Sequence, residues 1–419
     1  MARRIYKTNS RGRCKMSTPW NLISPDESGT HFPVGKLRKK ILTIFGTRPE
    51  VIKLAPVIQQ LDGYGKLLQT VNVTSAQHTD ILYPFVRLFE IRIDHDLQIM
   101  EANQTPNQVC SRVLASLDPI LAQERPDMIL VQGDTTTAMS GALAGFHRRI
   151  PVAHVEAGLR TGDVYNPYPE EMNRRIITRL ASYHFAATPR NRDTLLSEGV
   201  PDSGIFVTGN PVLDSLKTIL ERSEVTPALE EVLKTTKGLR RIILTTHRRE
   251  SFGQILAENL RVLRSFIDQY EDIGLIFPVH PNPAVLGPAV SILAGHPRIH
   301  LIQPLSYEHF IVLLSHAWLI VSDSGGVQEE APTLGKPLLV LRKNTERPEA
   351  IESGVARLVG GSPQRFGAML EEIRQEANWT DKIRAVRNPF GQGDSGKRIA
   401  QLIAKLLIEV DHEHDQNGN

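Results

Sequence analysis

"KILTIFGTRPEVIKLAPVIQQL", residues 40–61, changes its period once, and that change decides the fold. Ile41, Leu42, Ile44 and Phe45 form a short apolar run of the kind found in a strand buried on both faces. Gly46 ends it. From Arg48 onward the apolar residues recur at helical spacing. A strand, a glycine turn and a helix in quick succession make one unit of a parallel sheet.

The alternation continues along the chain. "LQTVNVTSA" (68–76), a helical stretch near 79–90, a helix at about 107–124, "DMILVQGD" (127–134), another helix, "PVAHVEAG" (151–158), "HFAATP" (184–189) and "IFVTGNP" (205–211) complete a first block. A polar segment, roughly 217–240, carries no strong strand. The pattern then restarts with "RIILTTH" (241–247), "GLIFPVH" (274–280), "RIHLIQP" (298–304), "AWLIVSDSGG" (317–326), "KPLLVL" (336–341) and "ARLVGG" (356–361). The sequence thus predicts an α/β fold of two Rossmann-like domains with a central cleft. Ligands of such sheets sit outside the carboxyl ends of the strands. The expected divisions are a leader (1–39), a first domain (40–209), a second (210–390), a last amphipathic helix (391–410) and a frayed tail (411–419).

Of the 419 residues, 41% are hydrophobic and 23% charged, and no apolar run approaches the ~18 residues of a membrane span. The formal charge of +3 is unevenly spread. Residues 1–40 hold ten lysines and arginines against Asp26 and Glu27, which leaves the remainder with 44 acidic and 39 basic side chains. The basic character belongs to the leader, so no nucleic-acid partner is expected. The leader lacks the apolar core of a secretory signal. It reads as a disordered basic extension, with a transit peptide or an early start before Met16 as alternatives. Cys14 and Cys110 are the only cysteines, which fits a reducing cytoplasm.

Several polar clusters fall at strand ends. In "SDSGGVQEEA" (322–331) Ser324, Gly325 and Gly326 open a helix whose free N–H groups suit an anion such as a diphosphate. Glu330 lies far enough into that helix to reach a ribose hydroxyl. "FGTRPEVIK" (45–53) sets Arg48 and Lys53 at a second strand-to-helix turn. "TTHRRESFG" (245–253) ends a strand with His247, and "VQGDTTT" (131–137) puts Asp134 at another end, where an N-cap is the plain reading. "HVEAGLRTGDVYNPYPEE" (154–171) holds Glu156 and Glu170 fourteen residues apart. That spacing is wrong for a hard-cation loop. It suits either two acids approaching one substrate from separate elements or a solvated loop. Asp163 and Glu171 read as loop or helix-start acids, and His154 as structural. "GQGDSG" (391–396) has dinucleotide-fingerprint spacing but follows no strand, so it is not read as an NAD site.

Together these motifs resemble the non-hydrolysing UDP-N-acetylglucosamine 2-epimerases, from about residue 40 to about 405. "FGTRPEVIKLAP", "VQGDTTT", "HVEAGLRTGD", "PEEMNR", "THRRESFG", "PVHPNP", "SDSGGVQEEAPTLGKP" and "ERPEAIESG" carry the likeness. The resemblance implies the glycosyltransferase B architecture, a final helix returning to the first domain, a cytoplasmic homodimer, and neither cofactor nor metal. It implies interconversion of UDP-N-acetylglucosamine and UDP-N-acetylmannosamine by elimination and re-addition of UDP through a glycal, feeding bacterial surface polysaccharides. It carries catalytic roles to Asp134, Glu156, Glu170 and His247. UDP-sugar contacts fall on Arg48, Lys53, Phe310, Ser324, Gly325, Gly326, Glu330 and Arg347. Gln77 and His78 match part of a regulatory site for a second UDP-N-acetylglucosamine, although Thr79 and Asp80 depart from its usual Arg-Glu. A glycosyltransferase on the same fold and a non-catalytic nucleotide-sugar sensor are the competing readings.

Overall fold

Both blocks of the sequence fold as parallel sheets with helices on their faces, in a computed structural model that describes residues 38–76, 79–101, 103–222, 225–246, 252–376 and 379–416. The first sheet contains β1 (Lys39–Phe45), β2 (Leu68–Thr74), β3 (His95–Asp96), β4 (Met128–Gln132), β5 (Val152–Ala157), β6 (Tyr183–Ala186) and β7 (Ile205–Val207), in the order β3-β2-β1-β4-β5-β6-β7. The second contains β8 (Arg240–Thr245), β9 (Ile273–Pro278), β10 (Ile299–Ile302), β11 (Leu319–Ser322), β12 (Leu338–Val340) and β13 (Ala356–Leu358), ordered β10-β9-β8-β11-β12-β13. This is the expected pair of Rossmann-like domains. The central strands are largely apolar between polar ends because helices cover both faces. Ile41, Leu42, Ile44, Phe45 and Phe277 have no exposed surface, and each such side chain contributes about 1.5–3 kcal/mol.

Strand order reverses once in each sheet, between β1 and β4 and between β8 and β11. The turns that leave these strands diverge there and open a crevice. The first crevice is bordered by Thr47 and Arg48 after β1 and by Gly133–Thr135 after β4. The second is bordered by Thr246 after β8 and by Asp323–Gly326 after β11. The polar segment near 217–240 holds two helices, Val212–Arg222 and Pro227–Thr235. Its polarity is that of their outer faces.

The chain passes between the sheets at two adjacent places. The first follows β7, where the Asn210 N–H donates to the Phe390 carbonyl at 2.7 Å. The second follows Phe390 and leads to the last helix, Ser395–Gln416, which packs on the helix Arg48–Asp62. Gly396 permits that contact, since a Cβ there would lie 2.8 Å from the Pro56 carbonyl. Gly391 and Gly396 of "GQGDSG" thus serve close chain crossing. Among the described residues no helix is long and apolar enough to cross a membrane.

Candidate functional site

The two crevices face one another across a cleft of about 720 Å³, a size ordinary for a small-molecule site. Arg48, Lys53, Asp134, Glu156, Glu170, Phe310, Ser324, Gly326, Glu330 and Arg347 all line it. Gly325 does not. It is buried beneath Arg347, and a Cβ there would meet the Arg347 Nη1 at 2.6 Å. Gln77, His78 and His247 lie outside the described residues, as do Arg248, Arg249 and the leader to residue 37.

Glu156 is placed by a bulge. β5 pairs with β6 through Val155 and then Ala157, which leaves Glu156 as the extra residue. Its φ is +66°, a region that non-glycine residues enter at some energetic cost. Such a bulge re-aims a side chain at the end of a strand. The carboxylate receives the Lys53 ammonium at 2.5 Å and the Asn210 amide at 3.0 Å on Oε1, and the Gln132 amide at 2.5 Å on Oε2. Burial disfavours its charge. The neighbouring Lys53 and Arg347 outweigh that effect and hold the carboxyl below the ordinary glutamate range.

Asp134 is arranged otherwise. It does not cap the following helix, because Thr135 takes that position and accepts from the Ala138 N–H at 3.0 Å. Its carboxylate accepts from Arg174 Nε at 2.8 Å, and its carbonyl accepts from the Asn173 amide at 2.9 Å. Burial raises its pKa in spite of Arg174, and the Glu156 charge adds to the rise. Two nearby carboxyls are thus pushed in opposite directions.

Glu170 opens the helix Glu170–Leu180, where a carboxylate is favoured by the helix dipole. Its Oε2 is buried without a protein partner, as a group reserved for a ligand would be. Glu171 lies in the first turn of the same helix, as expected of a helix-start acid, but faces inward. It has no exposed surface and binds Arg174, Arg175 and the Thr161 N–H at 3.0–3.1 Å. His154 is buried and hydrogen-bonded to the Gly133 carbonyl at 2.7 Å, and burial drives its pKa down to about 3. It is neutral and braces the turn that carries Asp134.

The opposite wall offers Arg347 and the backbone donors of a helix start. The helix Gly325–Leu334 begins at Ser324 with no side chain capping it, so its first N–H groups remain available to an anion. Arg347 is fixed by Glu329 at 2.7 Å and Glu346 at 3.0 Å. Glu330 Oε1 accepts from the Tyr307 hydroxyl at 2.5 Å, and burial pushes the Glu330 carboxyl up to about 7. Below the cleft, Glu50 ties the two first-sheet turns together. Its Oε2 accepts from the Gly46 and Thr47 N–H groups, and its Oε1 from Thr135 Oγ1 at 2.7 Å.

Sequence reasoning missed Gln132, Arg174, Asn210, Tyr307, Glu329 and Glu50 as parts of this site. "PEEMNR" held the one usable signal, since it places Arg174 one helical turn after Glu170 on the same face. Among the described residues no group of three or more His, Cys, Asp or Glu side chains is placed to hold a metal ion.

Residues 64–404 match the family model described as UDP-N-acetylglucosamine 2-epimerase. The UDP-N-acetylglucosamine 2-epimerase of Salmonella typhimurium is 44% identical over 376 residues, which cover 88% of this chain and 100% of that protein. The crystal structure of UDP-GlcNAc 2-epimerase from Neisseria meningitidis bound to UDP-GlcNAc superposes with a TM-score of 0.80 at 39% identity, covering 87% of this chain and 100% of that one. A glycosyltransferase of kitacinnamycin shares the fold at a TM-score of 0.59 and 13% identity, with 88% of this chain and 99% of that chain covered. At that identity the likeness speaks of architecture alone.

Proposed function

The chain belongs to the UDP-N-acetylglucosamine 2-epimerase family, and from that premise we propose that it interconverts UDP-N-acetylglucosamine and UDP-N-acetylmannosamine by elimination and re-addition of UDP. The observation that carries the reading is the opposed pair of walls. Asp134, Glu156 and Glu170 stand on one side of the cleft, and Arg347 with the start of the helix Gly325–Leu334 stands on the other.

The C2 proton has no adjacent carbonyl and is not acidic. A carboxylate takes it as the C1–O bond to UDP breaks, which leaves a C1=C2 double bond in a glycal and a free diphosphate. Return requires a proton delivered to the opposite face of C2 while a diphosphate oxygen bonds C1. One group must therefore be ready to accept a proton and another to give one. Lys53 and Arg347 hold Glu156 below its usual range while burial raises Asp134, so the two carboxyls differ in proton affinity in the sense that a base and an acid require. Glu170 completes the trio. Arg48, Arg347 and the helix start receive the charge that develops on UDP, with Glu330 at the ribose, Phe310 beside the uracil, and His247 assisting the leaving diphosphate.

The same reading includes a homodimer, a regulatory second UDP-N-acetylglucosamine at Gln77 and His78, and a product destined for surface polysaccharide. Incubation with UDP-N-acetylglucosamine in D₂O, without acceptor or NAD, tests the chemistry. Deuterium at C2 of both epimers is expected. Transfer of the sugar to an added acceptor without C2 exchange would instead indicate a glycosyltransferase.

A further inference from the structure

One contact of the Glu156 carboxylate comes from outside the first sheet's own turns. Lys53 and Gln132 reach it from the helix Arg48–Asp62 and from β4, but Asn210 reaches it from the segment where the chain leaves for the second sheet. Asn210 is fully buried and its amide cannot turn over freely. Oδ1 accepts the Val212 N–H at 3.1 Å, so Nδ2 is the atom left to face Glu156 at 3.0 Å. Its backbone N–H is bonded to the Phe390 carbonyl on the returning segment. The two segments touch glycine to glycine. A Cβ on Gly209 would lie 3.2 Å from the Gly391 Cα, and both glycines have positive φ, +85° and +135°. Asn210 is thus bonded at once to the outgoing crossing, the returning crossing and a carboxylate of the cleft.

We propose that Asn210 is a positioning residue, through which the arrangement of the two crossing segments sets the orientation of the Glu156 carboxylate. The proposal rests on the epimerase reading, in which Glu156 moves the C2 proton. A hydrogen bond at 3.0 Å weakens once its partners separate by a few tenths of an ångström. Any shift of the second sheet that turns the crossing therefore changes how firmly Glu156 is held as an anion. The other titratable groups facing it are Lys53 on the first helix, Arg347 before the helix Pro348–Glu352, Asp134 after β4, and His154 on β5 itself. The last is neutral. Loss of the amide leaves Lys53 and Arg347 in place, so the carboxylate persists but is less well aimed and binds a proton more readily.

The test uses Asn210→Ala and the isosteric Asn210→Asp in the full chain. Turnover and C2 exchange are followed against pH, UDP binding by calorimetry, and folding by thermal denaturation. Selective ¹³C labelling of glutamate carboxyls, with Glu156→Gln for assignment, follows the Glu156 titration without substrate. Asn210→Ala should lower kcat by about 10- to 100-fold, the scale of a misplaced catalytic group, with UDP affinity within about threefold. The acidic limb of its pH profile and the Glu156 carboxyl titration should both move upward, further still in Asn210→Asp. An unchanged titration and pH profile would overturn the proposal, as would a kcat loss accompanied only by equal losses in UDP affinity and melting temperature. If the wild type exchanges no C2 hydrogen while the titration still shifts, the positioning stands and the epimerase reading falls.

Discussion

Lys53 Nζ sits 2.5 Å from Glu156 Oε1, with 14% and 9% of the two side chains exposed, so a largely buried ion pair occupies the floor of the cleft. Breaking such a pair from one side leaves an uncompensated charge and costs about 3 kcal/mol. Lys53→Met should lower stability on that scale at pH 7, measured by urea unfolding. Glu156→Gln added to it should restore part of the loss. The pH sign follows from both partners. Burial opposes each charge, but their mutual attraction holds the Glu156 pKa down and the Lys53 pKa up. The contribution is therefore present above the unfolded glutamate value near 4.5, lost as pH falls through the lowered folded value, and lost again as pH rises through the raised lysine value. The wild-type advantage over Lys53→Met should be flat between about pH 6 and 9 and shrink in acid.

Glu156→Gln keeps the shape of the side chain and removes its proton chemistry. Removal of a general base lowers turnover by about 10²- to 10⁴-fold. UDP affinity should hold within about threefold, because Arg347 and the start of the helix Gly325–Leu334 stand on the other wall and Arg48 is not bonded to Glu156. A calorimetric titration that finds UDP affinity lost would move Glu156 from proton transfer to binding.

The fold was legible because its strands are buried on both faces, which makes each one a short apolar run ended by a polar or glycine turn. Most of the cleft lining followed, since the turns at the two reversals of strand order hold Arg48, Asp134 and Ser324. What could not be read were contacts between elements distant in sequence. Asn210 reaches Glu156 across 54 residues and Gln132 across 24, and no local period records either. The bulge at Glu156 was invisible for a related reason: strand alternation carries no sign of an extra residue. Glu171 is the helix-start acid that was expected, but its burial could not be read, because that depends on its ion pairs with Arg174 and Arg175.

Glu330 gives a second pH signature, opposite in sign to that of Glu156. Burial raises its folded pKa from 4.5 to about 7, with the Tyr307 hydrogen bond opposing and Glu329 adding to the rise. Between those values the folded protein keeps a proton that the unfolded chain has lost, so stability falls as pH rises from about 4.5 to 7. Glu330→Gln removes this titration. Its stability relative to wild type should grow across that window, by on the order of 1–3 kcal/mol. Thermal unfolding of the ligand-free proteins at pH 5 and pH 8 measures it, and an equal difference at the two pH values would contradict the buried placement of Glu330.

The last helix is held at its start by a residue of another helix. Asp214 accepts the Ser395 N–H at 3.1 Å and the Gly396 N–H at 3.0 Å, a role left open by Asp394 at the helix's own start, whose carboxylate accepts from Arg398 Nε at 2.9 Å. Burial pushes the Asp214 carboxyl up to about 6, with those two N–H groups pulling it back. Asp214→Ala leaves both donors buried without that partner and should cost about 1–3 kcal/mol. Because the same helix packs on Arg48–Asp62, the loss should appear first as faster amide exchange at its opening turn, before global unfolding. Exchange at residues 397–404 that is unaltered in Asp214→Ala would show that packing on Pro56 and its neighbours holds the helix without the carboxylate.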